Sequence, residues 1–171
     1  GFITGEFIFK TTNAGLTWDI IDTPSGEYTG LFFLSNSLGW VTTANGKIYK
    51  TEDAGATWIE QNSNTTTRLL QIQFINNQVG FAHSAGLDCD DEVQIYTTNG
   101  GNIWSLVPTK NVGACIGRYP LRKLQITNND SGFAIFGSNL DESPSLMKII
   151  NFPTANMSFN TAPYYSHRAK S

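Results

Sequence analysis

The sequence predicts an all-β chain of consecutive four-stranded antiparallel units, and three observations predict it. An eight-residue stretch occurs three times, at residues 11–18 (T-T-N-A-G-L-T-W), 51–58 (T-E-D-A-G-A-T-W) and 97–104 (T-T-N-G-G-N-I-W). The tryptophans that close the copies, Trp18, Trp58 and Trp104, are 40 and 46 residues apart. A second marker keeps step: Gly39-Trp40, Gly80-Phe81 and Gly132-Phe133 each follow a polar turn and open an apolar run. Repeats of about 40–50 residues with several short strands each are those of β-propeller blades.

The residue types of the repeat suit a tight turn between two strands. Asn13, Asp53 or Asn99 at its third position can bond backbone N–H groups a residue or two ahead. Gly15, Gly55 or Gly101 suits positive φ. Thr17 or Thr57 can add a local hydroxyl bond. The Trp opens the next strand and buries a large apolar surface, with an indole N–H that needs a partner. Thr11, Thr51 and Thr97 head the three copies. The pattern resembles the Asp-box, or BNR repeat, S/T-x-D-x-G-x-T-W. That motif occurs in sialidases, sortilin-type receptors, certain glycoside hydrolases and propellers similar to photosystem II assembly factors. Asn13 and Asn99 depart from its Asp and Ile103 from its Thr. An Asn oxygen still accepts a bond, so the turn survives without its charge.

The elements follow in order. Residues 1–28 form an incomplete unit: Gly1-Phe2-Ile3-Thr4 aligns with Gly39-Trp40-Val41-Thr42, so this unit begins at its second strand, B. The chain is therefore expected to be part of a larger propeller. Residues 29–65 form the clearest unit. Strand A is 30–34, apolar without alternation and so expected to be buried on both faces; B is 40–43. A hairpin turn at Asn45-Gly46 leads to C at 47–50, and D begins at Trp58. The third unit, 66–112, repeats this, with strands at 69–74, 79–83, 92–96 and 104–107 and a long B–C loop. A fourth, 113–160, has strands near 121, at 132–136 and at 146–150. Pro153 replaces the turn glycine there and Asn156 the tryptophan. Proline fixes φ near −65°, so the same turn cannot form and this unit reads as degenerate. Residues 161–171 read as a tail.

The chain has 171 residues, of which 15% are charged, with a formal net charge of −3. An average soluble protein carries roughly 25% charged residues. This balance excludes the basic face that nucleic acid needs. No apolar run reaches the ~20 residues of a membrane span. No signal peptide is visible at Gly1, so any targeting segment is expected outside the chain. Three Asn-x-Ser/Thr sequons, at Asn64, Asn129 and Asn156, are expected by chance in so Asn- and Thr-rich a chain.

In an A-B-C-D meander the B–C and D–A loops share one face. Cys89 falls in a B–C loop and Cys115 in the following D–A connection. A disulfide between them is therefore expected, and with it an extracytoplasmic compartment. Asp88, Asp90, Asp91 and Glu92 surround Cys89, while Arg118, Tyr119, Arg122 and Lys123 follow Cys115. They form a candidate binding face, with a solvated pair of oppositely charged loops as the alternative. No spaced D-x-D-x-D-G ladder supports calcium, and no metal or cofactor is expected.

Catalytic chemistry finds little purchase. The resemblance to sialidases would imply an arginine cluster and a Tyr/Glu pair, but only Arg68, Arg118, Arg122 and Arg168 exist, and Arg118-Tyr119-Pro120 follows the third copy. His83 and His167 suggest neither a triad nor a zinc site. No catalytic residue is assigned. The leading reading is a non-catalytic, extracytoplasmic interaction scaffold whose partner is a protein or further propeller blades. The alternative is part of a carbohydrate-active enzyme or glycan-binding propeller, with a glycan as ligand.

Overall fold

The computed structural model describes residues 1–21, 23–24, 26–84 and 93–107 and, for the backbone, strands within 121–161. Fifteen strands are described, all antiparallel, with no helix among the described residues. β1 (Phe2–Thr4), β2 (Ile8–Lys10) and β3 (Asp19–Ile20) form a three-stranded sheet. β4 (Tyr28–Phe33), β5 (Gly39–Thr43), β6 (Ile48–Thr51) and β7 (Ile59–Gln61) form a four-stranded meander. So do β8 (Gln71–Phe74), β9 (Gly80–His83), β10 (Gln94–Thr97) and β11 (Ser105–Leu106). The chain folds as β-propeller-type sheets, strung one after another. These three sheets make one compact unit.

Burial peaks in the second strand of each meander. All five residues of β5 and all four of β9 are buried. The first strand, expected to be covered on both faces, is less so: Leu31, Phe32, Phe33 and Leu34 are half-buried. Among the described residues β4 is bonded within its own sheet only to β5. The outermost strands β3 and β11 are exposed throughout.

A repeated aromatic contact holds the sheets together. Registers match between sheets: Phe2 pairs with Lys10 as Trp40 pairs with Lys50. Phe2 stacks on Phe33 of the second sheet with ring centroids 3.7 Å apart, and Trp40 stacks on Phe74 of the third at 3.5 Å. Trp58 then meets Phe33 edge-on at 6.3 Å, and Trp104 meets Phe74 at 5.9 Å. Gly39 and Gly80 lie beneath these phenylalanines. A Cβ on Gly39 would come within 2.7 Å of the Phe33 ring, and one on Gly80 within 2.6 Å of Phe74. The Gly-aromatic dipeptide thus does two jobs: the glycine admits the ring of its own sheet, and the aromatic stacks on the next sheet. Burying a side chain of this size contributes roughly 1.5–3 kcal/mol.

The second unit carries β12 (Leu121–Asn128), β13 (Ser131–Phe136), β14 (Ser145–Ile150) and β15 (Ser158–Thr161), again a four-stranded meander in sequence order. The lost glycine and tryptophan do not prevent a fourth strand: Ile150 pairs with Ser158 across the altered connection.

Candidate functional site

The three repeated turns are the most strongly patterned polar sites, and the second shows their geometry in full. The Thr51 hydroxyl is the hub. It accepts from the backbone N–H of Asp53 at 3.4 Å and of Gly55 at 2.8 Å, and donates to Asp53 Oδ1 at 2.9 Å. Asp53 reaches further than an Asx turn would. Its carboxylate accepts from the Thr57 backbone N–H at 2.8 Å and from the Thr57 hydroxyl at 2.6 Å. The bonds a residue or two ahead, expected from the Asp or Asn, are made by the Thr instead. A hydroxyl on Cβ is short enough to reach N–H groups two and four residues on while the strand continues behind it.

The other copies keep this frame. Thr11 accepts from Gly15 N–H at 2.9 Å, and Thr97 from Gly101 N–H at 3.0 Å. Asn13 Oδ1 accepts from Thr17 N–H at 3.0 Å while its amide donates to the Thr17 hydroxyl at 2.8 Å, reversing the last bond. Asn99 Oδ1 accepts from the Thr97 hydroxyl at 3.0 Å and from Ile103 N–H at 2.9 Å, and the last side-chain bond is lost because Ile103 has no hydroxyl. Gly15, Gly55 and Gly101 have φ of 88°, 84° and 93°. The residue before each is left-handed too: Ala14 at 58°, Ala54 at 60° and Gly100 at 73°. That second left-handed position was not read from the sequence, although Gly100-Gly101 signals it.

The left-handed pair ties each turn to its surroundings. Ala54 N–H donates to Ser37 O at 2.9 Å and Gly100 N–H to Gln78 O at 2.8 Å, in each case the A–B turn of the same sheet. Lys10 Nζ donates to Ala54 O of the next turn at 2.9 Å. A Cβ on Gly55 would meet Ile21 at 2.6 Å, so a residue just after the preceding outer strand rests on that glycine. These partners carry no motif of their own, which is why sequence reasoning missed them. Phe33 and Phe74 had a usable signal: each precedes its marker glycine by six residues.

Electrostatics follow from the bonding. The Thr57 hydroxyl and N–H, then the Thr51 hydroxyl, hold the Asp53 carboxyl down at about 2. Lys47 is raised by its bond to Glu60, at 2.8 Å on the surface. His83 is buried; desolvation lowers its pKa, so the ring is neutral and Nδ1–H donates to Ser84 O at 2.8 Å. Its Nε2, an acceptor in that tautomer, lies 3.2 Å from Gln71 Oε1, and it is bonded when the Gln71 amide is turned to present its NH2 donor. This is a satisfied interior histidine. Among the described residues no cluster of His, Cys, Asp and Glu could hold a metal ion. Asn64 Nδ2 donates to Trp104 O at 2.9 Å, so the nitrogen of that sequon is engaged in the fold.

Of the expected binding face, Asp88, Cys89, Asp90, Asp91, Glu92, Cys115, Arg118 and Tyr119 lie outside the described residues, and Arg122 is placed on β12. No helix among the described residues is long and apolar enough to cross a membrane.

No protein-family model matches the chain. A stretch of 103 residues is 30% identical to a vacuolar protein sorting/targeting protein 10 from Fusarium vanettenii, covering 54% of this chain and 7% of that protein. Two solved structures share the fold. One is YCF48 bound to D1 peptide, with a TM-score of 0.59 and 18% identity over 78% of this chain and 39% of that one. The other is YCF48 from Cyanidioschyzon merolae, with a TM-score of 0.62 and 16% identity over 78% of this chain and 42% of that one. The chain spans about two-fifths of these solved chains and a small part of the fungal protein; the structural likeness shows a β-propeller fold.

Proposed function

We propose that the chain is a non-catalytic, extracytoplasmic protein-interaction scaffold. Its repeated turns are Asp-boxes, at Thr11 to Trp18, Thr51 to Trp58 and Thr97 to Trp104. Its blades are residues 1–28, 29–65, 66–112 and 113–160, followed by a tail. One observation carries the reading: the Thr and Asp or Asn side chains of the thrice-repeated motif bond within their own turns, so these groups serve the frame and leave binding to the loops. The fold shared with a YCF48 structure that holds a peptide supports a protein partner. Partial likeness to a sorting/targeting protein supports the extracytoplasmic setting.

In this reading the B–C and D–A loops form the binding face, with Asp88, Asp90, Asp91, Glu92, Arg118, Tyr119 and Arg122 as its charged and aromatic groups. A Cys89–Cys115 disulfide fixes the two loops to each other. Closing that loop would stabilise by roughly 3–4 kcal/mol on the chain-entropy model. Rigid sheets would hold such loops in place, as scaffolds hold binding loops generally.

The test immobilises the native polypeptide and an Asp91→Lys/Arg118→Glu variant, and offers each the extracytoplasmic proteins of the source and a glycan array. Expected is one protein retained in stoichiometric amount by the native chain and lost by the variant. A glycan bound or hydrolysed, with no protein retained, would overturn the proposal. Thiol titration in non-reducing denaturant is expected to find no free cysteine.

A further inference from the structure

We infer that Asn45, in the hairpin turn between β5 and β6, is a site of spontaneous deamidation whose isoaspartyl product loosens residues 63–66. The inference rests on the turn and its neighbours and holds whatever the loop face binds. The sequence has two Asn-Gly steps, Asn45-Gly46 and Asn99-Gly100. Such a step favours this chemistry, because a glycine puts no Cβ in the way of its own nitrogen. The Gly46 nitrogen attacks Asn45 Cγ and gives up its proton to water. The new N–Cγ bond closes a cyclic imide, and the Cγ–Nδ2 bond breaks to release ammonia. Water then opens the imide at either carbonyl, leaving Asp or isoaspartate. The net change is one water taken up and one ammonia lost.

The structure separates the two steps. Asn45 is exposed, so its amide leaves into water. The Thr43 hydroxyl donates to Asn45 Oδ1 at 2.6 Å, where negative charge develops as the nitrogen adds. A donor so placed stabilises that charge as an oxyanion hole does. The Gly46 N–H is held only within its own turn, by Thr43 O at 3.2 Å. At Asn99 the Thr97 hydroxyl also donates to Oδ1, at 3.0 Å, so the difference lies elsewhere. Asn99 Oδ1 is anchored forward over the turn by Ile103 N–H at 2.9 Å. The Gly100 N–H is committed to Gln78 O, in another turn, at 2.8 Å. Both bonds must open before the nitrogen reaches Cγ. The repeated turn therefore protects Asn99, and the plain hairpin leaves Asn45 open.

The product reaches beyond its own turn. Gly46 has φ 80°, and a Cβ there would come within 2.5 Å of Thr65 O. Its carbonyl accepts from the Ser63 hydroxyl at 2.6 Å. Isoaspartate inserts a methylene into the main chain ahead of Gly46, so both contacts shift. The adjoining Asn64 donates to Trp104 O of the third sheet at 2.9 Å. One covalent change in a second-sheet hairpin thus disturbs the connection that ties that sheet to the next.

The test incubates the native polypeptide at mildly alkaline pH, folded and in urea, and follows both steps by peptide mass spectrometry. A methyltransferase specific for isoaspartyl carboxylates marks the rearranged product. In the folded chain Asn45 is expected to convert about tenfold faster than Asn99, the ratio set by the bonds that Asn99 must first release. In urea the two rates are expected to converge. Backbone NMR shifts of residues 63–66 are expected to move in the isoaspartyl chain. They should move less in an Asn45→Asp variant, which gains the charge without the extra methylene. Equal rates in the folded chain, or an unchanged Asn45 there while the urea sample reacts, would overturn the inference. So would an isoaspartyl chain whose shifts at residues 63–66 match those of the Asn45→Asp variant.

Discussion

The first and third sheets carry the same turn, yet their tryptophans sit in opposite environments. Trp18 is 39% exposed and Trp104 is 1% exposed. The turns themselves differ little: Thr11 and Thr97 each accept from the glycine N–H, and both glycines are left-handed. Ala14 holds its left-handed φ without the A–B turn carbonyl that receives Ala54 and Gly100. Turn geometry is therefore set locally, by the threonine hub and the Asp or Asn. Burial of the tryptophan is set by the phenylalanine of the strand in front of it, Phe74 for Trp104.

That separation predicts unequal costs for equal substitutions. Trp104→Ala is expected to destabilise by about 3–5 kcal/mol, in the range for truncating a buried large aromatic. Trp18→Ala is expected to cost less than half as much, because so much of the ring is already in water. Urea unfolding midpoints of the two variants measure the difference; equal losses would mean that Trp18 buries as much as Trp104 in solution. Gly80→Ala sharpens the point one layer down. Its Cβ would overlap the Phe74 ring, at an expected cost of about 1–3 kcal/mol. A Cβ on Gly1 would make only an ordinary contact with the Thr11 methyl, at 3.4 Å, and Gly1→Ala is expected to leave the midpoint unchanged.

How much of this was legible follows from which contacts are local. The turn could be read because all its parts lie within eight residues, and Gly46, at φ 80°, marks the second-sheet hairpin in the same way. The Gly-aromatic markers were also visible, but their reason was not. Gly39 and Gly80 answer to rings on another strand, and Trp40 answers to Phe74 on another sheet. The pairing of Trp40 with Phe74 leaves no spacing rule inside one repeat, and the six-residue step from Phe33 to Gly39 and from Phe74 to Gly80 stands out only when two repeats are compared in register. The threonine hub was missed differently. Asp and Asn are the residues known for reaching forward over a turn, so the bonds were expected from them, and the hydroxyl two residues earlier made them.

The hub is testable on the same comparison. Thr51→Val keeps the shape but leaves the Gly55 N–H, a buried donor, without its acceptor. The expected cost is about 1–3 kcal/mol, the penalty for an unsatisfied buried group. Thr11→Val is expected to cost less, because Gly15 is exposed and water can replace the hydroxyl. Ala54→Gly should move the other way. Ala54 sits at φ 60°, and glycine is native at the equivalent Gly100. Relief of a left-handed alanine is expected to raise stability by about 1 kcal/mol at most, offset in part by the freer unfolded chain.

The smallest effect separates the turns by charge. Asp53 titrates, whereas Asn13 and Asn99 cannot. Its carboxyl is held at about 2 in the folded chain against an ordinary 3.8. A depressed carboxylate contributes stability that is fully present above the ordinary value and is lost as pH falls through the folded one. The window is therefore from about 3.8 down to about 2. Asp53→Asn should leave the neutral midpoint little changed, since Asn13 shows that an amide serves the same bonds, with the final donor reversed. Between those two pH values the native chain should lose stability relative to the Asn variant, so that curves close together at neutral pH separate across the window. Urea titrations at neutral pH and at steps across that window measure the difference. Because Asp53 is open to solvent the effect should be modest. Parallel acid limbs for the two proteins would mean that the carboxylate's bonds to Thr51 and Thr57 do not depend on its charge.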